Sequence, residues 1–173
     1  MHKDLENILF SKIILSTKIK SLGRAISRDY KEEPLTIVSL MAGSILFTAD
    51  LIREINIPIQ LYTITVSSYN GEKISSGTLN IQGHLPDIKD KNILIVDDIL
   101  DSGLTLHTLK KQLNELNPKS IKTCVLLNKK IERPYTIDPD YYGFEIGEEF
   151  VVGYGLDYQG HYRNIPYIGT LKN

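Results

Sequence analysis

The chain has 173 residues, with 20 Lys and Arg against 21 Asp and Glu and a formal net charge of -1. Its length suits one domain with one core, and its charge excludes the basic surface of a typical nucleic-acid-binding protein. With this charge we expect no nucleic-acid partner. No apolar run approaches the ~18 residues that a membrane span needs, so we expect no membrane partner either. Cys124 is the single cysteine, which excludes an intrachain disulfide. We expect it to be a core residue of a soluble, cytoplasmic protein.

The first half of the chain alternates between helical and strand patterns. Ser11 is suited to cap a helix that runs to about Tyr30, because apolar residues recur along this segment at spacings of three and four. The polar segment 67–82 contains Gly71 and Gly77, and its composition predicts a mobile loop or a hairpin. Between these two segments the patterns predict a strand, a helix and a second strand, at residues 35–40, 45–55 and 58–66.

The second half continues the alternation and then changes in composition. Aliphatic runs predict strands at residues 92–96 and 120–127, and apolar periodicity predicts a helix at 105–116. From Arg133 onward the chain is rich in proline, glycine and tyrosine, which predicts a small irregular lobe. Buried strands that alternate with helices of ten or more residues predict an α/β fold, with a mainly parallel sheet flanked by helices.

The segment 96–105, with the sequence VDDILDSGLT, is the part of the chain best suited to bind a ligand. It follows a predicted strand and opens a predicted helix, and ligands of open α/β sheets bind beyond the carboxyl ends of the strands. Backbone N–H groups at the start of a helix can surround a phosphate. Asp97 and Asp98 would repel that phosphate, so we expect them to face sugar hydroxyls or a cation. The segment therefore predicts a ribose site beside a phosphate site.

Two other interpretations of this segment exist. Asp97 and Asp98 could be ordinary acids at the end of a strand, with an ordinary turn at Ser102 and Gly103. Strands that end in Asp-Asp also occur in receiver domains, where they bind magnesium beside a phosphorylated aspartate. No later strand of this chain ends in Asp, and the acidic pair lies far from the start of the chain, so the receiver interpretation is the weaker one.

Residues 92–106 resemble the signature with which type I phosphoribosyltransferases bind 5-phosphoribosyl 1-diphosphate (PRPP). Further segments resemble the hypoxanthine-guanine phosphoribosyltransferase family: 38–51 (VSLMAGSILFTADL), 67–69 (SSY), 126–129 (LLNK) and 139–171. The resemblance covers nearly the whole chain and implies the type I phosphoribosyltransferase fold as a single domain, 1–173. A small hood lobe would come from about residues 1–11 and 133–173. The implied reaction transfers the phosphoribosyl group of PRPP to N9 of hypoxanthine or guanine, with Mg²⁺.

The resemblance also implies a role for individual residues. Asp101 would lie near purine N7 as a general base or acid, although an ordinary helix cap suits this residue equally well. The residues implied for the phosphate and ribose of PRPP are Asp97, Asp98, Asp101, Ser102, Gly103, Leu104 and Thr105. Those implied for pyrophosphate are Ala42, Gly43, Ser68, Tyr69 and Arg163. Those implied for the purine are Lys129, Phe150, Val151 and Asp157, and those for the metal are Asp97, Asp98 and Asp157.

The donor chemistry of Lys129 supports the purine assignment, and two other residues differ from the family pattern. The Lys129 ammonium can donate hydrogen bonds but cannot accept them, so it favours a 6-oxo group over the 6-amino group of adenine. Asp97 stands where the family often has Glu, which shortens the reach of this side chain. Ala42 stands where Lys or Asn is common, which removes a side-chain contact, including a link between subunits. The turn 41–44 is implied to contain a non-proline cis peptide that directs backbone N–H groups to pyrophosphate.

The substrate and the assembly are less closely defined. Xanthine differs from guanine only at the 2-position, so a xanthine-preferring enzyme stays open. The resemblance implies that the segment 67–82 is a mobile loop that closes over the site. A nucleotide-sensing regulator that has lost catalysis is a second alternative, but Asp101, Arg163 and this loop are all present. We expect a homo-oligomer, either a dimer or a tetramer.

Overall fold

The computed structural model describes residues 2–67, 80–85 and 87–172. The strands in these residues are β1 (Leu5–Phe10), β2 (Leu35–Met41), β3 (Ile59–Ser67), β4 (Asn80–Gln82), β5 (Asn92–Leu100), β6 (Ser120–Lys129), β7 (Tyr141–Ile146), β8 (Val151–Val152) and β9 (Ile168–Leu171). The helices are α1 (Lys12–Tyr30), α2 (Ile45–Arg53) and α3 (Leu104–Asn114). The helices and strands predicted from sequence periodicity are therefore confirmed to within a few residues at their ends.

Six strands form the main sheet, in the order β4-β3-β2-β5-β6-β7. The pairs β3/β2, β2/β5, β5/β6 and β6/β7 are parallel, and only β4 runs antiparallel to its neighbour. This confirms the predicted α/β class. Ser39 of β2 lies opposite Val96 of β5, which in turn lies opposite Cys124 of β6, so the carboxyl ends of these three strands share one edge of the sheet.

The two faces of the main sheet are covered by different helices, because side chains alternate along each strand. Leu94 and Val96 face a core that contains the buried residues of α1 and α2. Ile93 and Ile95 face a second core with those of α3. Helix α1 begins where the sequence predicts, since the Ser11 side chain is its N-cap and accepts a hydrogen bond from the Ile14 N–H at 3.4 Å.

The remaining strands form a small antiparallel sheet in the order β1-β9-β8, which we call the hood. It has its own apolar centre at Leu5, Val152 and Ile165. The predicted origin of the hood in both ends of the chain is correct, but its predicted extent, 133–173, is wrong in one part. Residues 141–146 form β7 of the main sheet, because they hydrogen-bond in parallel with β6 rather than with the hood.

Two strands of the main sheet are also longer than predicted. β5 continues to Leu100 and β6 to Lys129, so Asp97 and Asp98 lie inside β5 instead of following it. Across the described part of the chain, the helices are too short or too polar for any of them to span a bilayer.

Candidate active site

Several of the predicted site residues lie at the carboxyl ends of β2, β5 and β6, close to the hood. The turn 41–44 follows β2, the segment 101–103 follows β5, and Lys129 is the last residue of β6. The hood contributes residues 153–163, and the would-be Cβ of Gly155 lies only 2.1 Å from the Gly43 carbonyl oxygen. Only glycine fits at position 155, where φ is +100°, so the hood and the turn after β2 approach each other backbone to backbone.

The turn after β2 is held by buried hydroxyl groups. Ser39 Oγ lies 2.8 Å from Ser44 Oγ and 2.7 Å from Thr48 Oγ1, so three polar side chains from β2, the turn and α2 satisfy one another. The Met41–Ala42 peptide bond is cis, as the family resemblance implies. Ala42 is exposed, whereas Ser44 is fully buried. These hydroxyls were missed from the sequence, although a serine inside a buried strand is a usable signal.

Asp97 and Asp98 form a half-buried acidic pair beside this turn. Asp97 Oδ1 accepts a hydrogen bond from the Asp98 N–H at 2.9 Å, and Asp98 Oδ1 accepts one from the Ile99 N–H at 2.8 Å. Burial raises the pKa of Asp97, and repulsion from Asp98 raises it further. Burial also raises the pKa of Asp98, against the opposing effects of its hydrogen bonds and of the Arg163 charge. The pair therefore favours a cation or sugar hydroxyl groups as its neighbours.

The segment 101–103 leads directly into the first turn of α3. Gly103 is the N-cap residue with a φ of +82°, and no side chain caps the helix in the usual way. Ser102 Oγ accepts a long hydrogen bond of 3.4 Å from the Leu104 N–H. The His107 N–H donates to the Gly103 carbonyl at 2.9 Å, as the first bond of the helix. The amides of Thr105 and Leu106, which lie before it, have no helical carbonyl four residues back. Free amides at a helix N-terminus suit an anion such as phosphate.

Asp101 and Lys129 form an ion pair across the ends of β5 and β6. Lys129 Nζ lies 3.4 Å from Asp101 Oδ2, and the lysine side chain is only 13% exposed against 56% for the aspartate. A shielded cation thus stands beside a carboxylate that solvent or a ligand can reach. Asp101 makes no hydrogen bond that would identify it as the cap of α3, since Gly103 occupies that position.

Arg133 lies behind this pair and was not identified from the sequence. Its Nε donates to the Asp101 carbonyl at 2.9 Å, and its Nη2 donates to Asn128 Oδ1 at 2.6 Å and to the Lys129 carbonyl. A lone arginine four residues after a strand has no sequence signature that distinguishes it from a surface charge. Its partners are mostly backbone atoms, which every residue type supplies.

The hood places Arg163 and Asp157 side by side. Arg163 Nη2 lies 2.7 Å from Asp157 Oδ1, and Arg163 Nη1 donates to the Gly155 carbonyl at 2.6 Å. The other oxygen of Asp157 accepts a hydrogen bond from the Gly160 N–H at 2.8 Å. Arg163 is thus oriented by the same hood segment that approaches Gly43, and its charge acts on Asp98.

Phe150 and Val151 differ in their surroundings. Phe150 is 54% exposed and meets Tyr158 edge-on, with ring centroids 5.5 Å apart. The Val151 side chain is buried and its backbone pairs with Thr170 of β9. An exposed aromatic face is available for stacking, but among the described residues no cation–π contact joins it to Lys129. Ser68 and Tyr69 lie outside the described residues.

The acidic residues fit a magnesium ion that arrives with a polyphosphate. Among the described residues, no three acidic, histidine or cysteine side chains converge on a complete metal site. Mg²⁺ is commonly bound through one or two carboxylates together with substrate phosphates and water. Asp97 and Asp98, whose pKa values are raised mainly by burial, supply such a partial set. Asp157 already has both oxygens hydrogen-bonded or ion-paired within the hood.

Comparison with known proteins gives consistent matches. A family model for a phosphoribosyl transferase domain matches residues 8–159. The chain is 43% identical to a hypoxanthine-guanine phosphoribosyltransferase of Staphylococcus epidermidis, over 99% of this chain and 97% of the relative. It is 41% identical to the hypoxanthine-guanine phosphoribosyltransferase of Dictyostelium discoideum, over 95% and 94%. A crystal structure of a hypoxanthine phosphoribosyltransferase from Staphylococcus aureus has a TM-score of 0.94 and 40% identity, over 99% of this chain and 94% of that one.

Proposed function

The chain belongs to the hypoxanthine-guanine phosphoribosyltransferase family of enzymes, and on this premise we propose that it transfers the phosphoribosyl group of PRPP to N9 of hypoxanthine or guanine. The products are IMP or GMP and pyrophosphate. The observation that carries the proposal is the pairing of the Asp101 carboxylate with the Lys129 ammonium at 3.4 Å. A 6-oxopurine presents O6 and N7 side by side on one edge, so two adjacent polar groups of the protein can bind both atoms.

The two groups have different tasks on the purine edge. Lys129 donates a hydrogen bond to O6, and a 6-amino group would meet this donor with another donor. Asp101 accepts the proton of N7 while the N9 lone pair forms a bond to C1′ of the ribose. The bond from C1′ to pyrophosphate breaks with its electron pair on the leaving oxygen. General base assistance of this kind contributes roughly 10² to 10⁴ in rate.

The remaining residues hold PRPP. The free amides of the first turn of α3, with Ser102 and Thr105, bind the 5′-phosphate, and Asp97 and Asp98 bind the ribose hydroxyls. The backbone of Ala42 and Gly43 and the side chain of Arg163 bind pyrophosphate, with Ser68 and Tyr69 closing over it. Phe150 stacks on the purine, whose edge meets the Val151 backbone and Asp157. Asp97 and Asp98, with help from Asp157, would hold Mg²⁺, which would supply positive charge beside the diphosphate.

We further propose that the protein acts in the cytoplasm as a homo-oligomer, a dimer or a tetramer. The start of α2 exposes Ile45 and Leu46 by 49% and 36%, and Ile13 of α1 is 78% exposed. Apolar surface of this kind is stabilised when a second copy covers it. Light scattering on the purified protein measures the assembly directly.

The experiment that tests the reaction offers each of five bases to the purified protein with PRPP and Mg²⁺. The bases are hypoxanthine, guanine, xanthine, adenine and uracil, and nucleotide formation is followed by chromatography. We expect IMP and GMP, and no product from adenine or uracil. Faster synthesis with xanthine would support the xanthine-preferring alternative, and no product from any base would support the regulator.

A further inference from the structure

One guanidinium group joins the two strand ends that carry Asp101 and Lys129. Arg133 Nε donates to the Asp101 carbonyl at 2.9 Å, and Nη2 donates to the Leu100 carbonyl at 3.3 Å. The same Nη2 donates to Asn128 Oδ1 at 2.6 Å and to the Lys129 carbonyl. A longer bond of 3.4 Å runs from Nη1 to the Ile137 carbonyl. The acceptors therefore come from the ends of both β5 and β6.

These hydrogen bonds lie where the sheet stops fixing the two strands. The β5–β6 ladder ends with Leu100 opposite Asn128, so ladder pairing does not determine the position of Asp101 relative to Lys129. Backbone carbonyls beyond the ladder need other donors when they are buried. Arg133 is half-buried and supplies those donors from one rigid plane. A planar fork with five N–H donors can hold several carbonyls in a fixed arrangement, which a single ammonium cannot do.

We infer that Arg133 is a positioning residue that sets the separation between the Asp101 carboxylate and the Lys129 ammonium. It acts through the backbone of these two residues, and its Nε and Nη2 donors are engaged by the protein itself. The inference rests on the proposed function, because the separation of the pair matters only if both groups bind one purine edge. Asn128 assists by presenting its side-chain oxygen to the same guanidinium group.

The inference predicts a kinetic effect that is larger for the purine than for PRPP. A shift of about 1 Å in a catalytic group can lower a rate about 100-fold, so we expect kcat/KM for hypoxanthine to fall about 10- to 100-fold in Arg133→Ala. KM for PRPP should change much less, because none of the hydrogen bonds of Arg133 goes to Asp97, Asp98 or Arg163. Arg133→Lys keeps the charge but not the fork, and we expect it to lose at least tenfold as well.

Chemical rescue separates positioning from general destabilisation. Millimolar guanidinium ion should restore part of kcat in Arg133→Ala, and it should not raise kcat in Arg133→Lys, whose side chain fills the site. Arg28→Ala is the matched control, because Arg28 lies on α1 with a side chain 78% exposed and far along the chain from the pair. It should behave as the unsubstituted protein with and without guanidinium.

The outcomes distinguish this inference from the proposed function. If the unsubstituted protein makes no nucleotide, the proposed function fails. If it is active, and Arg133→Lys keeps full activity or loses equally in KM for PRPP and for hypoxanthine, the positioning role fails. Should Arg133→Ala not fold, as judged by its circular dichroism spectrum, the kinetics of the folded Arg133→Lys variant decide the question.

Discussion

A methyl group added at Gly43 tests how closely the turn after β2 must approach the acidic pair. A Cβ at this position would lie 1.7 Å from Asp98 Oδ2 and 2.7 Å from Asp98 Cγ. The φ of Gly43 is outside the left-handed region, so Gly43→Ala acts through this contact and not through backbone strain. Contacts of Cβ below 3.0 Å essentially never occur, so Asp98 or the turn must move by more than 1 Å.

That movement should lower kcat/KM for PRPP. If Asp98 turns away, the 2.8 Å hydrogen bond that its Oδ1 accepts from the Ile99 N–H is weakened, and a hydrogen bond to a charged group contributes about 1.5–3 kcal/mol. Misplacing a binding group by about 1 Å can itself cost about 100-fold. We therefore expect kcat/KM for PRPP to fall about 100-fold, which corresponds to about 2.7 kcal/mol. KM for hypoxanthine should change little, since Gly43 does not contact the Asp101–Lys129 pair.

Initial rates of IMP formation at saturating hypoxanthine, with PRPP varied, measure this effect. Gly147→Ala is the matched control, because its Cβ would meet only the far end of the flexible Glu149 carboxylate, at 2.9 Å. That carboxylate can swing aside, so the control should retain its kinetics. A Gly43→Ala variant that is folded and has kcat/KM for PRPP within threefold of the unsubstituted value would refute the reasoning.

Three further predictions concern the charged groups of the site. Lys129→Met should raise KM for guanine at least tenfold with little change in KM for PRPP. The control is Lys130→Met, whose side chain is 80% exposed, and it should change neither KM in the same assay. Equal changes in both KM values of Lys129→Met would contradict the role of Lys129. Asp101→Asn should lower kcat by about 10² to 10⁴ while PRPP still protects the protein in thermal melts, and an unchanged kcat would remove its role as base. Because the pKa of Asp97 is raised in the folded protein, the folded state binds a proton more tightly than the unfolded state, and stability is lost as pH rises above the ordinary carboxyl range. Asp97→Asn should therefore raise Tm near pH 7 and flatten its dependence on pH, as measured by melts from pH 4 to pH 8; an unchanged profile would contradict the raised pKa.

Local patterns were enough to predict most elements of the fold. The cap at Ser11 and the apolar spacing after it fix α1, and aliphatic runs mark β2, β5 and β6. These signals depend on residues within a few positions of one another. The placement of Asp97, Asp98 and Asp101 at one sheet edge followed from the rule that ligands lie beyond the carboxyl ends of parallel strands.

The strand β7 could not be predicted from local sequence patterns. Its residues lie in a tail rich in proline, glycine and tyrosine, which predicts irregular structure. Its place in the main sheet depends on parallel pairing with β6, where Tyr141 lies opposite Cys124 and Ile146 opposite Lys129. Strand pairing of this kind is set by burial and by partners distant in sequence, so composition did not reveal it.

The candidate site was predicted as a set of residues but not as a geometry. Asp101 and Lys129 are 28 residues apart in sequence, and both lie just beyond the last paired residues of the β5–β6 ladder, so no local pattern predicts their ion pair. The bonds of Arg133 go mainly to backbone carbonyls, which no residue pattern encodes. The resemblance to a family implies partners for PRPP and the purine, whereas the groups that hold those partners in place are visible only in the structure.

The hood brings together segments from opposite ends of the chain. Leu5 of β1 lies opposite Leu171 of β9, and the Lys172 N–H donates to the Asp4 carbonyl at 3.0 Å. During synthesis on a ribosome the main sheet can assemble once β7 has emerged, but β1 must wait for β9 before it finds its partner. A nascent polypeptide that stalls before residue 168 would thus expose Asp97 and Asp98 before the hood segment that carries Arg163 has reached its final place. Competence for PRPP would then be one of the last properties that the growing protein acquires.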